Sequence, residues 1–169
     1  LFLDGVGIGR KDGPENPFFS MPLPGFESLL GGPMISPGRP SRTNEHSSVR
    51  PIDATLGVRG LPQSGTGQSA ILTGENAAKI LGRHFGPYPH SSLRPLLQKK
   101  NIFRRLSGLG LSPMYINAFP RQYEDHIREH PFRSGAISLA WRSDGRALNG
   151  SADLTAGRAL SSDCNAEGW

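Results

Sequence analysis

The sequence predicts an α/β protein, and three observations carry that prediction. The chain opens on an unbroken apolar run, "LFL", that ends in Asp4 and Gly5. Such a run reads as a parallel strand covered on both faces. Residues 60–74, "GLPQSGTGQSAILTG", are Gly-rich and lead into small apolar residues that read as a helix. The distal half then alternates helical and strand-like segments, the pattern of a sheet with helices on both faces. With 169 residues, 36% of them hydrophobic, the chain has material for one core.

The elements follow in order. Asp4 stands at the carboxyl end of the first strand, where open α/β sheets place their chemistry. Residues 10–48 are rich in Pro, Gly, Ser and Arg and have no period, so they read as a long loop or lid. One short helix, "FESLL", fits inside it. "PIDATLGVRG" reads as a short strand or turn. "GQSAILTGENAAKILG", residues 67–82, reads as a helix with Ala70, Ile71, Ala77, Ala78 and Leu81 on its apolar side and Gly74 weakening its middle. Residues 91–110 read as a helix, capped by Ser91 or Ser92 and stopped at Gly108 or Gly110. "SPMYINAF" reads as a strand. "RQYEDHIREH" is a polar helix ended by Pro131. "GAISLAWRSDG" fits a strand or a helix, and its small residues favour the helix. "SADLTAGRALSSDC" reads as a last helix with Ser151 or Asp153 near its cap.

Composition excludes several classes. Gly 22 and Pro 15 without a period imply many turns rather than a collagen-like chain. Cys164 is the single cysteine, so an internal disulfide and a Cys-based zinc site are both excluded, and a reducing compartment is expected. No apolar run reaches the length of a membrane span, and no basic leader precedes the first apolar residues. The expectation is a cytoplasmic protein without a membrane partner. A first residue other than Met and an abrupt end suggest a fragment. The net charge of +5 raises nucleic acid as a partner. The cations are scattered, however, and their densest group, "QKKNIFRR", reads as a solvated helix face. An anionic small molecule uses such a field equally well.

Four motif tests address chemistry. A Walker A loop needs Gly and Lys where this chain has Pro62 and Gln68, so a nucleotide loop is excluded. A G-x-S-x-G elbow fails at Ser64, flanked by Pro62 and Thr66, and at Ser69, flanked by Gly67 and Ile71. "HIREH" matches H-x-x-E-H: His126 and His130 share a helix face and Glu129 is placed as a base for a zinc peptidase. Its polar helix and the missing third ligand favour a plain solvated face. Ser64, finally, precedes a helix whose first N–H groups and dipole favour a phosphate. Gly65 and Gly67 let the backbone approach closely. A metal held by a carboxylate such as Asp4 would lower the pKa of the Ser64 hydroxyl. A Gly-rich connector with Ser64 as a cap explains the same residues, and the residues alone leave both readings open. Arg83 and His84 follow the helix, either to contact an anionic substrate or to cap the loop and pack on Tyr88.

Two stretches together resemble the alkaline phosphatase superfamily, which includes cofactor-independent phosphoglycerate mutases, phosphopentomutases and nucleotide pyrophosphatases. In "LFLDGVGIG" the family's first metal ligand maps onto Asp4. In "SGTGQSAILTG" the family's spacing, ten residues before the Gly of a terminal Thr-Gly, places the nucleophile at Ser64. The longer pattern "DATLGVRGLPQSGTGQSAILTGENAAKILGRHFGPYP" is similar to bacterial metalloenzyme-domain proteins near the mutase branch. "YINAFP" and "GRALSSD" are weaker matches.

The resemblance implies a three-layer α/β/α sandwich, with residues 1–169 as the N-terminal part of a single domain. It implies two divalent ions (Mn, Zn or Mg), one held by Asp4 and Ser64, and a phosphoserine at Ser64. The amides from Gly65 onward would hold the phosphate of a phosphorylated small-molecule substrate, with Arg83 and His84 beside it. Water would release the phosphate in a hydrolase, and a second hydroxyl would accept it in a mutase. The family's remaining Asp and His ligands lie in its C-terminal half and have no counterpart here. Asp125-His126 is out of order for them. The isolated chain is therefore expected to bind metal weakly and not to turn over. A zinc peptidase and a non-catalytic remnant or binding module are the rival readings.

Overall fold

The computed structural model describes residues 6–9, 16–35, 38 and 41–161. Asp4, its apolar run and Cys164 lie outside the described residues. Residues 1–53 and 54–169 are two separate compact units.

In the first unit, α1 (Pro17–Ser20) starts where Asn16 accepts the Phe18 N–H through its side chain, with Pro17 in the first turn. Helix α2 (Pro24–Leu30) contains "FESLL" and ends at Gly31, whose φ of 68° is left-handed. The rings of Phe18 and Phe26 meet edge to face, 5.2 Å apart. Strands β1 (Arg42–Thr43) and β2 (Ser48–Val49) pair antiparallel. Asn44 makes their turn by accepting the N–H groups of His46 and Ser47. The expected long loop thus holds two short helices and a hairpin. No apolar alternation announces strands of two residues each.

The second unit runs through α3 (Ser64–Thr73), α4 (Ala77–Leu81), a 3-10 turn at Ser91–Leu93, α5 (Arg94–Lys99) and α6 (Ile102–Gly108). It continues through β3 (Asn117–Ala118), α7 (Arg121–Glu129), a 3-10 turn at Pro131–Arg133, α8 (Ala136–Arg142), α9 (Ser151–Thr155) and β4 (Leu160–Ser161). β3 and β4 pair parallel, with Asn117 opposite Leu160 and Ala118 opposite Ser161. The protein is therefore of mixed helix and sheet, with helices predominating among the described residues.

Helices α3, α5 and α8 enclose the core of this unit, built on Leu72, Leu97, Ala136, Leu139 and Ala140, with Phe103 and Ile137 against it. Burying apolar area at roughly 25 cal/mol per Å² holds these helices together. A series of rings, Phe103, Trp141, Tyr115, Phe119 and Tyr123, continues the packing toward β3. Burial there raises the pKa of the Tyr115 phenol.

Three departures from expectation have physical causes. The helix expected at 67–82 is two helices, because Gly74 adopts φ 73° and caps α3. Its buried face is Gly65, Thr66, Ser69, Leu72 and Thr73, whereas Ile71 is 59% exposed. Ser69 and Thr73 can be buried because each returns its hydroxyl to a carbonyl one turn back, Gly65 at 2.6 Å and Ser69 at 2.7 Å. The helix expected at 91–110 is interrupted at Asn101, whose side chain donates to the Leu97 carbonyl at 2.7 Å and accepts the Arg104 N–H at 3.1 Å. It closes one helix and caps the next. His90, rather than Ser91 or Ser92, supplies the cap before the 3-10 turn by accepting the Ser92 N–H. The last expected helix ends at Thr155 and gives way to β4. Asp153 caps it, accepting the Gly150 N–H and pairing with Arg158.

Candidate functional site

Ser64 is the first residue of α3, the longest described helix. Gln63 before it is extended and makes no side-chain cap. The chain thus enters the helix at Ser64 itself, half-buried and at the positive end of the dipole. By helix geometry the first-turn N–H groups have no intrahelical acceptor. The first intrahelical bond is Gly67 N–H to the Gln63 carbonyl, at 2.8 Å.

A second segment closes over this turn. The Thr66 N–H donates to the Phe85 carbonyl at 2.9 Å, and the Phe85 N–H donates back to Thr66 Oγ1 at 3.3 Å. Thr66 Oγ1 also donates to the Gln63 carbonyl at 3.2 Å. Thr66 is fully buried by this exchange. A Cβ on Gly65 would lie 2.3 Å from the Tyr88 carbonyl oxygen and 2.6 Å from that of Phe85. Only glycine fits there. A Cβ on Gly86 would lie 3.3 Å from the Ser64 nitrogen, so the two backbones run against each other.

The structure therefore brings Ser64, Gly65 and the loop after Gly82 into one neighbourhood. His84 is committed to holding it together: its Nε2 donates to the Val58 carbonyl at 3.1 Å, and its ring lies beside Gly60. Arg83 is exposed, with its guanidinium 5.5 Å from the centre of the Phe85 ring rather than on Tyr88. Of the amides after Ser64, that of Thr66 is spent on Phe85, and two carbonyl oxygens face Gly65. The cradle is narrower than the sequence suggests. Phe85, Gly86 and Tyr88 belong to it through their backbones, which side-chain patterns do not announce. The run "FGPYP", dense in Gly and Pro, is the available signal for a tight backbone approach.

Asp4, the other proposed metal ligand, lies outside the described residues. Among the described residues no three His, Cys, Asp or Glu side chains converge as a metal site. The His126 and His130 rings do meet, 4.9 Å apart and edge to face, at the end of α7. Asp125 beside them pairs with Arg128, and Glu129 is exposed.

Comparison with the models of known protein families, with curated proteins and with solved structures finds no match. Among the described residues no helix is long and apolar enough to cross a membrane.

Proposed function

We propose that this chain carries the nucleophile of a metal-dependent phosphotransfer site on a phosphorylated small molecule. The observation that supports it is Ser64 at the first position of α3, at the positive end of the helix dipole. In this reading Ser64 Oγ attacks phosphorus, the bond to the leaving oxygen breaks, and that oxygen takes up a proton. Phosphoserine at Ser64 then yields phosphate to water in a hydrolase or to a second hydroxyl in a mutase. The positive end of the helix dipole favours the added negative charge, while the Thr66 N–H is held by the Phe85 carbonyl. Arg83 is the exposed cation nearest in sequence to the loop that covers the site.

The complete domain in this reading is a three-layer α/β/α sandwich, of which the chain is one part. The described residues do not fit two divalent ions by themselves, because no three ligand side chains converge. Ser64 alone of the proposed ligands is among them, and the phosphoryl step rests on its hydroxyl.

The test is to incubate the complete protein with a phosphorylated aryl or sugar substrate and Mn or Zn, then map the phosphoryl adduct by mass spectrometry. The adduct is expected at Ser64 and absent in Ser64→Ala. Peptide cleavage that survives Ser64→Ala and is lost in His126→Ala would replace this reading with a metallopeptidase, the alternative that the adjacent His126 and His130 rings favour. Tight, salt-sensitive nucleic-acid binding with no adduct would identify a binding module instead.

A further inference from the structure

The opposite end of α3 opens on a groove of about 730 Å³, lined by the end of α3, the α5–α6 junction and the outer face of α6. That volume lies within the range of ligand sites. Ile71, Ile102 and Leu109 are 59%, 45% and 69% exposed along it, apolar side chains of one groove left open to water. Around it stand Lys99, Lys100, Arg104 and Arg105, and no carboxylate lines it. Glu75 pairs with Lys100 and Asp144 with Arg104. Lys99 and Arg105 have no ion-pair partner among the described residues, and both are exposed.

We infer that this groove binds an amphiphilic anion, an aliphatic chain bearing a carboxylate or phosphate head. The chain would lie on Ile71, Ile102 and Leu109, and the head would meet Lys99 and Arg105. A bare anion leaves these apolar side chains wet, and a neutral chain leaves the two cations unused. Nucleic acid fits less well, because single-stranded binders stack bases on aromatic rings and none lines this groove. The groove is separate from Ser64: ten residues of α3 at 1.5 Å rise put the two ends roughly 14 Å apart.

The experiment is titration of the full chain with decyl phosphate, decanoate, octyl phosphate, decanol and inorganic phosphate, all below micelle formation. Decyl phosphate or decanoate is expected to bind saturably at one site, and the tighter of the two assigns the head. Each buried methylene contributes about fourfold, so octyl phosphate should bind about fifteenfold more weakly than decyl phosphate. The double substitution Lys99→Gln with Arg105→Gln should weaken binding about tenfold, given roughly threefold for each exposed charge contact. Leu109→Ser should weaken it as well, and Ser64→Ala should leave it unchanged. All these positions except Ser64 are exposed, and an unchanged melting temperature confirms that the variants fold. Decanol binding as tightly as the anions, affinity independent of chain length, or affinity unchanged in the double variant would overturn the inference. So would a self-associating chain whose assembly, not ligand binding, responds to these substitutions.

Discussion

The two ends of α3 are built on opposite terms. At its amino end the partner is backbone: the carbonyls of Phe85 and Tyr88 press on Gly65, and Thr66 exchanges bonds with Phe85. At its carboxyl end the neighbours are side chains, apolar Ile71 and Leu109 with a rim of cations, and the space between them is open. Backbone contact leaves a single residue type possible at Gly65. Side-chain contact at an open groove tolerates many. Substitutions should therefore be costly at one end of the helix and nearly silent at the other.

Gly65→Ala tests this contrast most sharply. Its Cβ would meet two carbonyl oxygens that cannot rotate away, so the loop at Phe85–Tyr88 must shift. A loss of about 3 kcal/mol in urea unfolding is expected, at the upper end of overpacking costs. Wild-type stability in this variant would show that the loop does not rest on the helix. Thr66→Val keeps the shape and removes the hydroxyl, leaving the part-buried Phe85 N–H without its Oγ1 partner. The expected loss is about 1.5 kcal/mol, with faster hydrogen exchange in residues 83–88.

Asp153 offers a second kind of helix start, one capped by a side chain. Its pKa is lowered first by the bond from the Gly150 N–H and then by Arg158. A carboxylate with a lowered folded pKa stabilises above its ordinary value of 3.8 and loses that contribution as pH falls through the folded value below it. The melting-temperature gap between wild type and Asp153→Asn should therefore be present at neutral pH and close in strong acid. A gap that persists in strong acid would remove the charge from the explanation. The smallest effect belongs to the open end of α3. Ile71→Ser should change stability by no more than ~0.5 kcal/mol, since its side chain is mostly in water already.

Much of the helical content was legible. The polar run 121–130 and the small-residue run 136–142 became α7 and α8, where period and Pro131 agree. Ser64 was legible as a residue at the entry to a helix, though the helix begins at Ser64 itself rather than at Gly67. The buried face of α3 was not. A period read from apolar residues alone selects Ile71, yet Ser69 and Thr73 go inside because the helix's own carbonyls satisfy them. The break at Asn101 was hidden for a related reason, since one side chain serves two helices through bonds that only the folded chain supplies. His84 was legible as a polar residue near the site, but its bond to Val58, twenty-six residues earlier, was not.

By itself the sequence determined the helices at 121–129 and 136–142 from local signals, a polar run stopped by Pro131 and a run of small residues. These act within one or two turns, so no distant residue is needed to read them. The tertiary structure alone decided that the loop after Gly82 lies on Gly65 and that the far end of α3 stays open. Both depend on which backbones approach across gaps of nineteen or more residues, as from Thr66 to Phe85, and no local pattern encodes such an approach.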